Sequence, residues 1–360
     1  MNREKALEYA MLACDTMIGK YTVETLPPEH KFHYHQGVFL SGMLHTWEVS
    51  GKKKYYDYVK EWVDSIVWED GSIHDFDRGM MDDIQPGILL FPLYRETGDL
   101  RYKKALDTLL PILKNWKRNE YGGFWHKEWH PNQMWLDGLY MAGPLEAEYA
   151  KEFDCPEYLE IAVEQAFLMA EHMQDKNSGL LYHGWDTEKK CWWVDKKTGL
   201  STEFWGRAMG WYVVAILDIL EFMPKEHPRR NEMIELEKEA LQAVLRVQDK
   251  ESGMWYQVMD KGDRADNWLE TSCTALFAYA VSRAARTGIL PECCREAAWN
   301  AFCGIEKHSL TRNGGELQLS GICIGTDVSN YEAYVTRPTC TNDLHGMGAF
   351  LLMCAELAKA

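Results

Sequence analysis

The sequence predicts an all-α protein built as an (α/α)6 barrel, in which six helical hairpins close into a ring. Two kinds of helical segment alternate along the 360 residues, and each segment of the second kind follows a polar or aromatic cluster. An open helical solenoid is the alternative, but it would expose its terminal repeats, and the chain lacks obvious capping segments. Because no Gly/Ser-rich linker divides the sequence, we expect one domain over residues 1–360.

The first kind of segment is charged and amphipathic, as in helices that pack one face inward and show the other to water. In one example, Leu106, Leu109, Leu110 and Leu113 follow helical spacing, with charged residues between them. These predicted outer helices cover residues 3–18, 54–67, 101–116, 157–173, 235–247 and 292–308.

The second kind of segment is rich in small residues, nearly uncharged and apolar on most sides, which places it in an interior. These predicted inner helices cover residues 36–49, 84–95, 139–150, 206–220, 271–285 and 346–358. Most of them are preceded by a glycine and two or three alternating apolar or aromatic residues, which predicts a turn and a short extended segment. These turn segments cover residues 71–74, 122–126, 179–183, 253–256 and 314–317.

The net charge and the composition of the chain exclude some classes of binding partner and indicate a cellular location. The formal net charge of -16 argues against a nucleic-acid backbone and against an anionic membrane surface. No apolar run is long enough to span a bilayer. The charged N-terminus and ten cysteines without metal-ligand spacing favour a cytoplasmic protein with reduced thiols. A monomer and a homodimer both remain open.

One carboxylate stands out because aromatic residues surround it. Asp137 lies between Trp135 and Tyr140, beside Gly138. A carboxyl group that loses hydration among aromatic rings has a raised pKa, which suits a general acid. The alternative is that Asp137 only caps a helix that begins near Leu139, since Asp is a favoured N-cap residue. This stretch alone favours neither interpretation.

Closing the ring would bring the polar clusters that precede the inner helices together at one mouth of the barrel. Indole and phenol faces suit the apolar sides of sugar rings, and the guanidinium of Arg207 can bind a carboxylate with two hydrogen bonds. The combined cluster therefore indicates an acidic carbohydrate as the substrate. Each member also has a structural alternative: Asp82 or Asp83 as a helix cap, Trp211 as core, Arg207 in an internal ion pair, His126 or His183 as a hydrogen-bonded structural residue. No metal-ligand spacing or nucleotide-binding motif is present, so we expect no metal and no cofactor.

Five motifs, in order along nearly the whole chain, together resemble glycoside hydrolase family 105, the unsaturated rhamnogalacturonyl hydrolases. The unsaturated glucuronyl hydrolases of family 88 share the architecture. The motifs are Met81-Asp-Asp83, Phe124-Trp-His-Lys127, Met134-Trp-Leu-Asp-Gly-Leu-Tyr-Met141, His183-Gly-Trp185 and Trp205-Gly-Arg-Ala-Met-Gly-Trp211.

The resemblance implies an (α/α)6 barrel that removes a 4,5-unsaturated uronic acid from lyase-generated oligosaccharides by hydrating its double bond. It implies that Asp137 is the general acid/base, that Asp82 is a second carboxylate keeping Asp137 protonated, and that His183 helps to position water. The residues that it implies for substrate binding are Tyr34, His35, His126, Lys127, Trp135, Trp205, Arg207, Trp211 and His345.

We therefore expect a hydrolase acting on unsaturated galacturonosyl-rhamnose from pectin. Activity on glycosaminoglycan disaccharides is the enzymatic alternative, and it would favour extra cations for sulfate, of which the motif region has few beyond Lys127 and Arg207. A sugar epimerase on the same barrel is a second alternative. A carbohydrate-binding barrel without catalysis is the alternative from another class.

Overall fold

The computed structural model describes residues 2–359, and its helices form the predicted (α/α)6 barrel. The helices are α1 (Arg3–Lys20), α2 (Tyr34–Ser50), α3 (Lys53–Ile66), α4 (Leu90–Thr97), α5 (Leu100–Lys114), α6 (Asp137–Glu152), α7 (Pro156–Met173), α8 (Gly206–Phe222), α9 (Arg230–Arg246), α10 (Thr271–Arg286), α11 (Arg295–His308), α12 (Tyr331–Val335) and α13 (Leu344–Ala358).

The inner ring consists of α2, α4 with the turns before it, α6, α8, α10 and α13. Each of these elements packs against the next, and α13 packs back against α2, so the ring is closed. The outer layer consists of α1, α3, α5, α7, α9 and α11, and the buried faces of these helices cover the ring. The alternation of buried and amphipathic segments in the sequence therefore predicted the two layers correctly.

Small residues let the last inner helix lie close to the first. A Cβ atom on Gly42 of α2 would lie 2.8 Å from the carbonyl oxygen of Gly348 in α13. A Cβ atom on Gly348 would lie 2.5 Å from the backbone of Val38. The two backbones thus approach more closely than any side chain larger than hydrogen would allow, and this contact seals the ring.

The predicted inner helix over residues 84–95 is wrong in its first half. Two 3-10 turns, Met81–Asp83 and Gln85–Leu89, take its place, and the α-helix begins only at Leu90. Pro86 lacks the N–H that an α-helical ladder would use. Gly87 packs so tightly that a Cβ atom there would lie 2.8 Å from Leu109. The tighter 3-10 winding fits this crowded part of the ring.

The glycine turns predicted before the inner helices are confirmed. Gly71, Gly122, Gly179, Gly253 and Gly314 all have positive φ, between 59° and 91°, a conformation that glycine adopts without steric cost. The residues after these turns form isolated bridges or short strands. The strands are β1 (Gln133–Trp135), β2 (Gly184–Asp186), β3 (Leu310–Asn313), β4 (Glu316–Leu319), β5 (Ile322–Cys323) and β6 (Thr339–Cys340), paired β1–β2, β3–β4 and β5–β6.

Two glutamates of α6 are buried in the wall of the barrel. Glu146 is fully buried and neither of its carboxylate oxygens has a hydrogen-bond partner. Burial raises the pKa of Glu146 to about 8. Glu148 accepts a hydrogen bond of 2.7 Å from Arg95, yet burial still raises its pKa to about 8. Both carboxyl groups therefore hold a proton near neutral pH.

All ten cysteines are free, four of them buried. Between residues 2 and 359, the helices are all too short or too polar to cross a bilayer.

Candidate active site

Two short strands bring Asp137 and His183 together at the mouth of the barrel. In the β1–β2 pair, Trp135 lies opposite Gly184, and the N–H of Leu136 donates a hydrogen bond of 3.0 Å to the carbonyl of His183. The Nε2 atom of His183 lies 3.0 Å from Oδ2 of Asp137, and both side chains are almost fully buried. The contact is an ion-pair distance without the alignment of a straight hydrogen bond.

Asp137 is the first residue inside α6, not its N-cap, which is Leu136. The side chain makes no capping hydrogen bond and contacts His183 instead. The expectation of a raised pKa is wrong. Burial raises the pKa of Asp137, but the imidazole of His183, with His126 farther away, outweighs burial and lowers it. The aromatic residues in the sequence indicated desolvation, but the opposing histidine directly precedes strand β2, 46 positions later in the chain.

Asp82 pairs with His126 rather than with Asp137. The Nε2 atom of His126 lies 3.3 Å from Oδ1 of Asp82. Burial opposes ionisation, yet His126, His33 and Lys127 together hold the pKa of Asp82 below its usual range. Asp82 is therefore ionised at neutral pH, which leaves a negative charge next to any sugar that enters the mouth.

The structural alternative in which Asp82 or Asp83 caps an inner helix is wrong, because both belong to the 3-10 turn before α4. Oδ2 of Asp83 accepts a hydrogen bond of 3.3 Å from the N–H of Asp77, outside that helix. Burial, with Asp82 and Asp77 nearby, raises the pKa of Asp83 to about 7. A raised pKa is thus found at Asp83, the chain neighbour of the predicted catalytic residue Asp82, and not at Asp137.

Trp135 joins the two carboxylate–histidine pairs. Its indole stacks on His126 with ring centroids 4.4 Å apart, and it meets His183 edge to face at 5.8 Å. Lys127 lies over the same indole, with Nζ 5.0 Å from the ring centroid. Both imidazoles are therefore held by packing against one rigid ring, and the predicted cluster of these residues forms.

Trp205 and Arg207, at the start of α8, form the opposite part of the site. The Trp205 ring lies 4.6 Å from His183, and the guanidinium of Arg207 lies 4.5 Å from the Trp205 ring. Arg207 is 1% exposed and donates hydrogen bonds of 2.7 and 2.8 Å to the carbonyl groups of Cys323 and Ile324. In this structure the guanidinium therefore holds a backbone loop, which neither interpretation of the sequence considered.

Trp211 lies deeper in the barrel. It is 1% exposed and stacks on Tyr140, with ring centroids 4.6 Å apart. This contact belongs to the main core of the protein. The structure thus supports the core interpretation that the sequence left open for Trp211, and its role in the substrate wall stays a prediction.

Residues from the first and last inner helices complete the mouth. The Tyr34 hydroxyl lies 2.8 Å from Nε2 of His35, and the rings of His35 and His345 lie 5.0 Å apart. Asp343 caps α13 and lies 2.6 Å from Nδ1 of the buried His345, whose Nε2 lies 3.1 Å from the carbonyl oxygen of Cys323. The backbone carbonyl oxygen of Cys323 thus accepts hydrogen bonds from both His345 and Arg207.

Among residues 2–359, His35, Asp343 and His345 form the one group whose donor atoms are close enough together to consider a metal ion. The direct contact of 2.6 Å between Asp343 and His345 leaves no space for an ion between them. The absence of a metal therefore stays a prediction, and these residues fit an ion pair better than a metal centre.

Sequence reasoning missed Tyr334, which lies 151 residues after its partner His183 in the chain. The hydroxyl group of this fully buried residue accepts a hydrogen bond of 2.8 Å from the N–H of Ser329 and lies 2.7 Å from Nδ1 of His183. Because the Ser329 bond occupies one of its lone pairs, the hydroxyl can donate its proton to Nδ1. That arrangement leaves the imidazole proton on Nε2, facing Asp137.

Replacing Tyr334 by phenylalanine should lower kcat about tenfold, since one hydrogen bond that fixes the histidine tautomer is lost. KM should stay within about twofold, because Tyr334 is a positioning residue behind His183. Steady-state kinetics across pH checks this. Tyr331→Phe is the matched control, because it removes a hydroxyl from the same helix, α12, that bonds Asp266 instead. Equal losses in both variants would contradict the positioning role.

The pairs Asp137–His183 and Asp82–His126 thus lie at the same mouth of the barrel. The indole of Trp135 lies between the two pairs, and the guanidinium of Arg207 lies behind them. Such a site can move a proton at a sugar ring held between flat apolar faces. Residues 9–360 match the model of Glycosyl Hydrolase Family 88. The chain therefore belongs to this family and is a glycoside hydrolase, and the family resemblance seen in the sequence is confirmed.

Several known proteins are similar to this chain. A C. acetobutylicum ATCC 824 glycoside hydrolase from family 105 is 35% identical, with a TM-score of 0.92 over 97% of this chain and 99% of that one. The unsaturated rhamnogalacturonyl hydrolase YesR of Bacillus subtilis is 26% identical over 272 residues, 74% of each protein. An unsaturated glucuronyl hydrolase from Bacillus sp. GL1 shares the fold, with 14% identity and a TM-score of 0.75 over 98% of this chain and 96% of that one.

Proposed function

We propose that this glycoside hydrolase removes a 4,5-unsaturated galacturonic acid from rhamnose in lyase-generated oligosaccharides. The observation that carries the proposal is the contact of 3.0 Å between Asp137 and His183. The indole of Trp135 separates this pair from the second pair, Asp82 and His126. The similarity to YesR, an unsaturated rhamnogalacturonyl hydrolase, supports rhamnose as the leaving sugar.

In the proposed reaction, Asp137 donates a proton to C4 of the double bond, and positive charge develops at C5 beside the ring oxygen. The carboxylate then takes a proton from water while the water oxygen bonds to C5, which gives a hemiketal. Ring opening turns C5 into a ketone and moves its hydroxyl proton to the ring oxygen. The hemiacetal left at C1 collapses to an aldehyde and releases the leaving sugar, so no covalent enzyme intermediate forms.

Asp137 must be protonated for the first step, although its pKa is lowered in this structure. Substrate binding changes this balance in two ways. The substrate brings its own carboxylate, and its ring excludes water from the buried acid. Both effects raise the pKa of Asp137, so the substrate itself prepares the acid. Asp82 stays ionised beside His126 and accepts hydrogen bonds from sugar hydroxyl groups.

The test is the ultraviolet absorbance of the enol-ether chromophore during incubation with unsaturated galacturonosyl-rhamnose. We expect a decay whose rate is proportional to the enzyme concentration. Preferred consumption of a chondroitin or heparin disaccharide would replace rhamnogalacturonan with a glycosaminoglycan as the substrate class. Stable absorbance with every unsaturated disaccharide would overturn the proposed reaction. Conversion without cleavage would indicate an epimerase.

We further propose that the barrel is one domain that works in the cytoplasm on short oligosaccharides. The ten free cysteines support this, because exposed thiols such as Cys293 and Cys303 persist in reducing compartments. The net charge of -16 supports a partner that is neither nucleic acid nor an anionic membrane.

A further inference from the structure

A second cavity lies inside the ring of inner helices, at the end of the barrel opposite the mouth, and is called the axial cavity below. Its outer end is formed by the last two turns of α2, α4, α6 and α8, whereas the active site lies at the first turns of the inner helices. Its volume of about 160 Å³ suits a ligand the size of benzene, which fills a cavity of about 150 Å³. All six members of the inner ring contribute to its wall, with Ser41, Ile88, Tyr140, Asp218, Tyr279 and Leu352 as one residue from each.

The outer end of the axial cavity is electrically negative. The C-terminus of a helix carries a partial negative charge, which basic residues in the last turn balance. The last turns of α2 and α8 contain no basic residue. These two helices instead bring carboxylates to the cavity, Glu48 from α2 and Asp218 and Glu221 from α8, and α6 adds Glu148. The helix ends and the side chains thus have the same sign, and a ligand with positive charge fits them.

Two arginines balance only part of this negative charge. Arg95 donates hydrogen bonds of 2.7 and 3.3 Å to Glu148 and to a second glutamate of α6. Arg283 of α10 pairs with both carboxylates of α8. Each guanidinium group therefore faces two carboxylates, which leaves a surplus of negative charge. Burial raises the pKa of Glu148 to about 8 even beside its arginine, so the two arginines do not fully stabilise the charged forms.

Glu48, at the rim of the cavity, has no cationic partner among residues 2–359. Its Oε2 atom lies 3.5 Å from Nδ1 of His45. Burial lowers the pKa of His45 to about 3, so this imidazole is neutral at pH 7. Lys359 acts on Glu48 only through space and pairs with Glu356, at 3.8 Å. The carboxylate of Glu48 is therefore available to a positively charged ligand.

Two neutral polar groups at the inner end of the cavity lack partners. Gln85 lines this end and is 3% exposed, and its Oε1 atom, which lies against Gly37 of α2, has no hydrogen-bond partner. The Ser41 hydroxyl, one turn farther along α2, is also buried without a partner. The Tyr140 hydroxyl lies beside the Gln85 amide. A ligand hydroxyl group, which both donates and accepts, can satisfy such groups.

The wall between the two ends is apolar. Leucines from α2, from α6 and from α13 line it, together with two prolines and Phe222. Ser41 and Glu48 are seven residues apart on α2, so the two ends are separated by about 10 Å along the helix. Among residues 2–359, the carboxylates of the cavity do not come close enough together to hold a metal ion. The cation that fits is therefore an organic one with a short hydrocarbon chain.

We infer that the axial cavity binds a small organic cation, a primary alkylammonium with a neutral hydroxyl group at its far end. The ammonium group lies between Glu48 and the carboxylates of α8, and the chain fills the apolar middle. The hydroxyl group reaches Gln85 and Ser41 at the inner end. A second ammonium group there would be buried without a carboxylate, so a diamine is a poorer ligand. The inference concerns a site apart from the substrate-binding mouth and does not depend on the proposed function.

Isothermal titration calorimetry with three probes of the same chain length tests the ligand class: 5-amino-1-pentanol, 1,5-pentanediol and 1,5-diaminopentane. The amino alcohol should bind with one site per chain. The diol should bind at least about tenfold more weakly, because it lacks the charge that pairs with the carboxylates. The diamine should bind about fivefold more weakly, because its second charge loses hydration at the inner end. Asp137→Asn, at the mouth, should leave the affinity for the amino alcohol unchanged.

Glu48→Gln places the ligand in the cavity. It keeps the shape of a half-exposed side chain, so the fold should persist, and it should weaken binding of the amino alcohol about tenfold. Ser41→Leu fills the cavity and should abolish binding. Glu239→Gln, the same exchange at an exposed position on α9, should change nothing. Equal affinities for the amino alcohol and the diol, unchanged binding in Glu48→Gln, or no binding of any probe would overturn the inference. None of these outcomes bears on the proposed reaction, because no step of the test requires turnover.

Discussion

Asparagine in place of Asp137 is expected to reduce kcat for double-bond hydration on the order of 10³-fold, since the amide cannot donate the proton or activate water. The exchange keeps the shape of a side chain that lies 3.0 Å from His183, so the helix α6 should stay folded. Decay of the enol-ether absorbance measures kcat, and circular dichroism verifies the fold. Turnover near that of the parent would remove Asp137 from the mechanism.

Two further measurements make the Asp137 experiment specific. Binding of the disaccharide to the Asp137→Asn variant should remain within about tenfold of the parent, because the lost interaction acts mainly in the transition state. Glu239→Gln is the matched control, since it makes the same carboxylate-to-amide change at an exposed position on α9. A protein that only bound carbohydrate would show no turnover in the parent and unchanged binding in the variant.

Lysine in place of Arg207 is expected to lower the free energy of unfolding by about 3 kcal/mol, because one ammonium cannot reach both carbonyl groups of residues 323 and 324. The melting temperature should fall by about 4 °C for a chain of this length. KM should rise as well, since the Cys323 carbonyl also accepts from His345 at the mouth. Calorimetry and steady-state kinetics test the two effects separately.

The chain offers a matched control for the Arg207 experiment. Arg230 also donates to two backbone carbonyl groups, those of Leu220 and Met223, at 2.8 and 2.6 Å, but it lies outside the site. Arg230→Lys should leave KM unchanged. A higher KM in Arg207→Lys with an unchanged melting temperature would instead support the sequence interpretation, in which the guanidinium binds the substrate carboxylate and has no structural role.

The ring of helices was predictable because burial leaves a periodic pattern in the residues that face the core. The glycine turns were predictable because their backbone conformation restricts the residue type. The 3-10 winding before Leu90 was missed although Pro86 is a local signal, because it also depends on how Gly87 meets Leu109 of the outer helix α5. Such crowding between distant segments has no local signature.

The candidate active site likewise contains residues that a local sequence pattern marks and contacts that only the folded chain creates. Asp137, His126 and His183 lie in short motifs, so the sequence placed them together. The anchoring carbonyl groups of residues 323 and 324 belong to the backbone, which every residue has, so nothing in the sequence marks them. Tyr334 comes from helix α12, far along the chain, and only the folded chain brings its hydroxyl to His183. The lowered pKa of Asp137 was missed for the same reason, because only the tertiary structure brings the imidazole of His183 next to it.

The two buried glutamates of α6 make unfolding a proton-releasing process. Glu146 and Glu148 have a pKa of about 8 in the native protein, whereas an exposed glutamate titrates near 4.3. Their contribution to stability is therefore full below the unfolded value and is lost as the pH rises towards about 8. At pH 7 each denatured molecule gives up protons that its native form retained. The heat absorbed on melting must consequently depend on the ionisation enthalpy of the buffer that receives them.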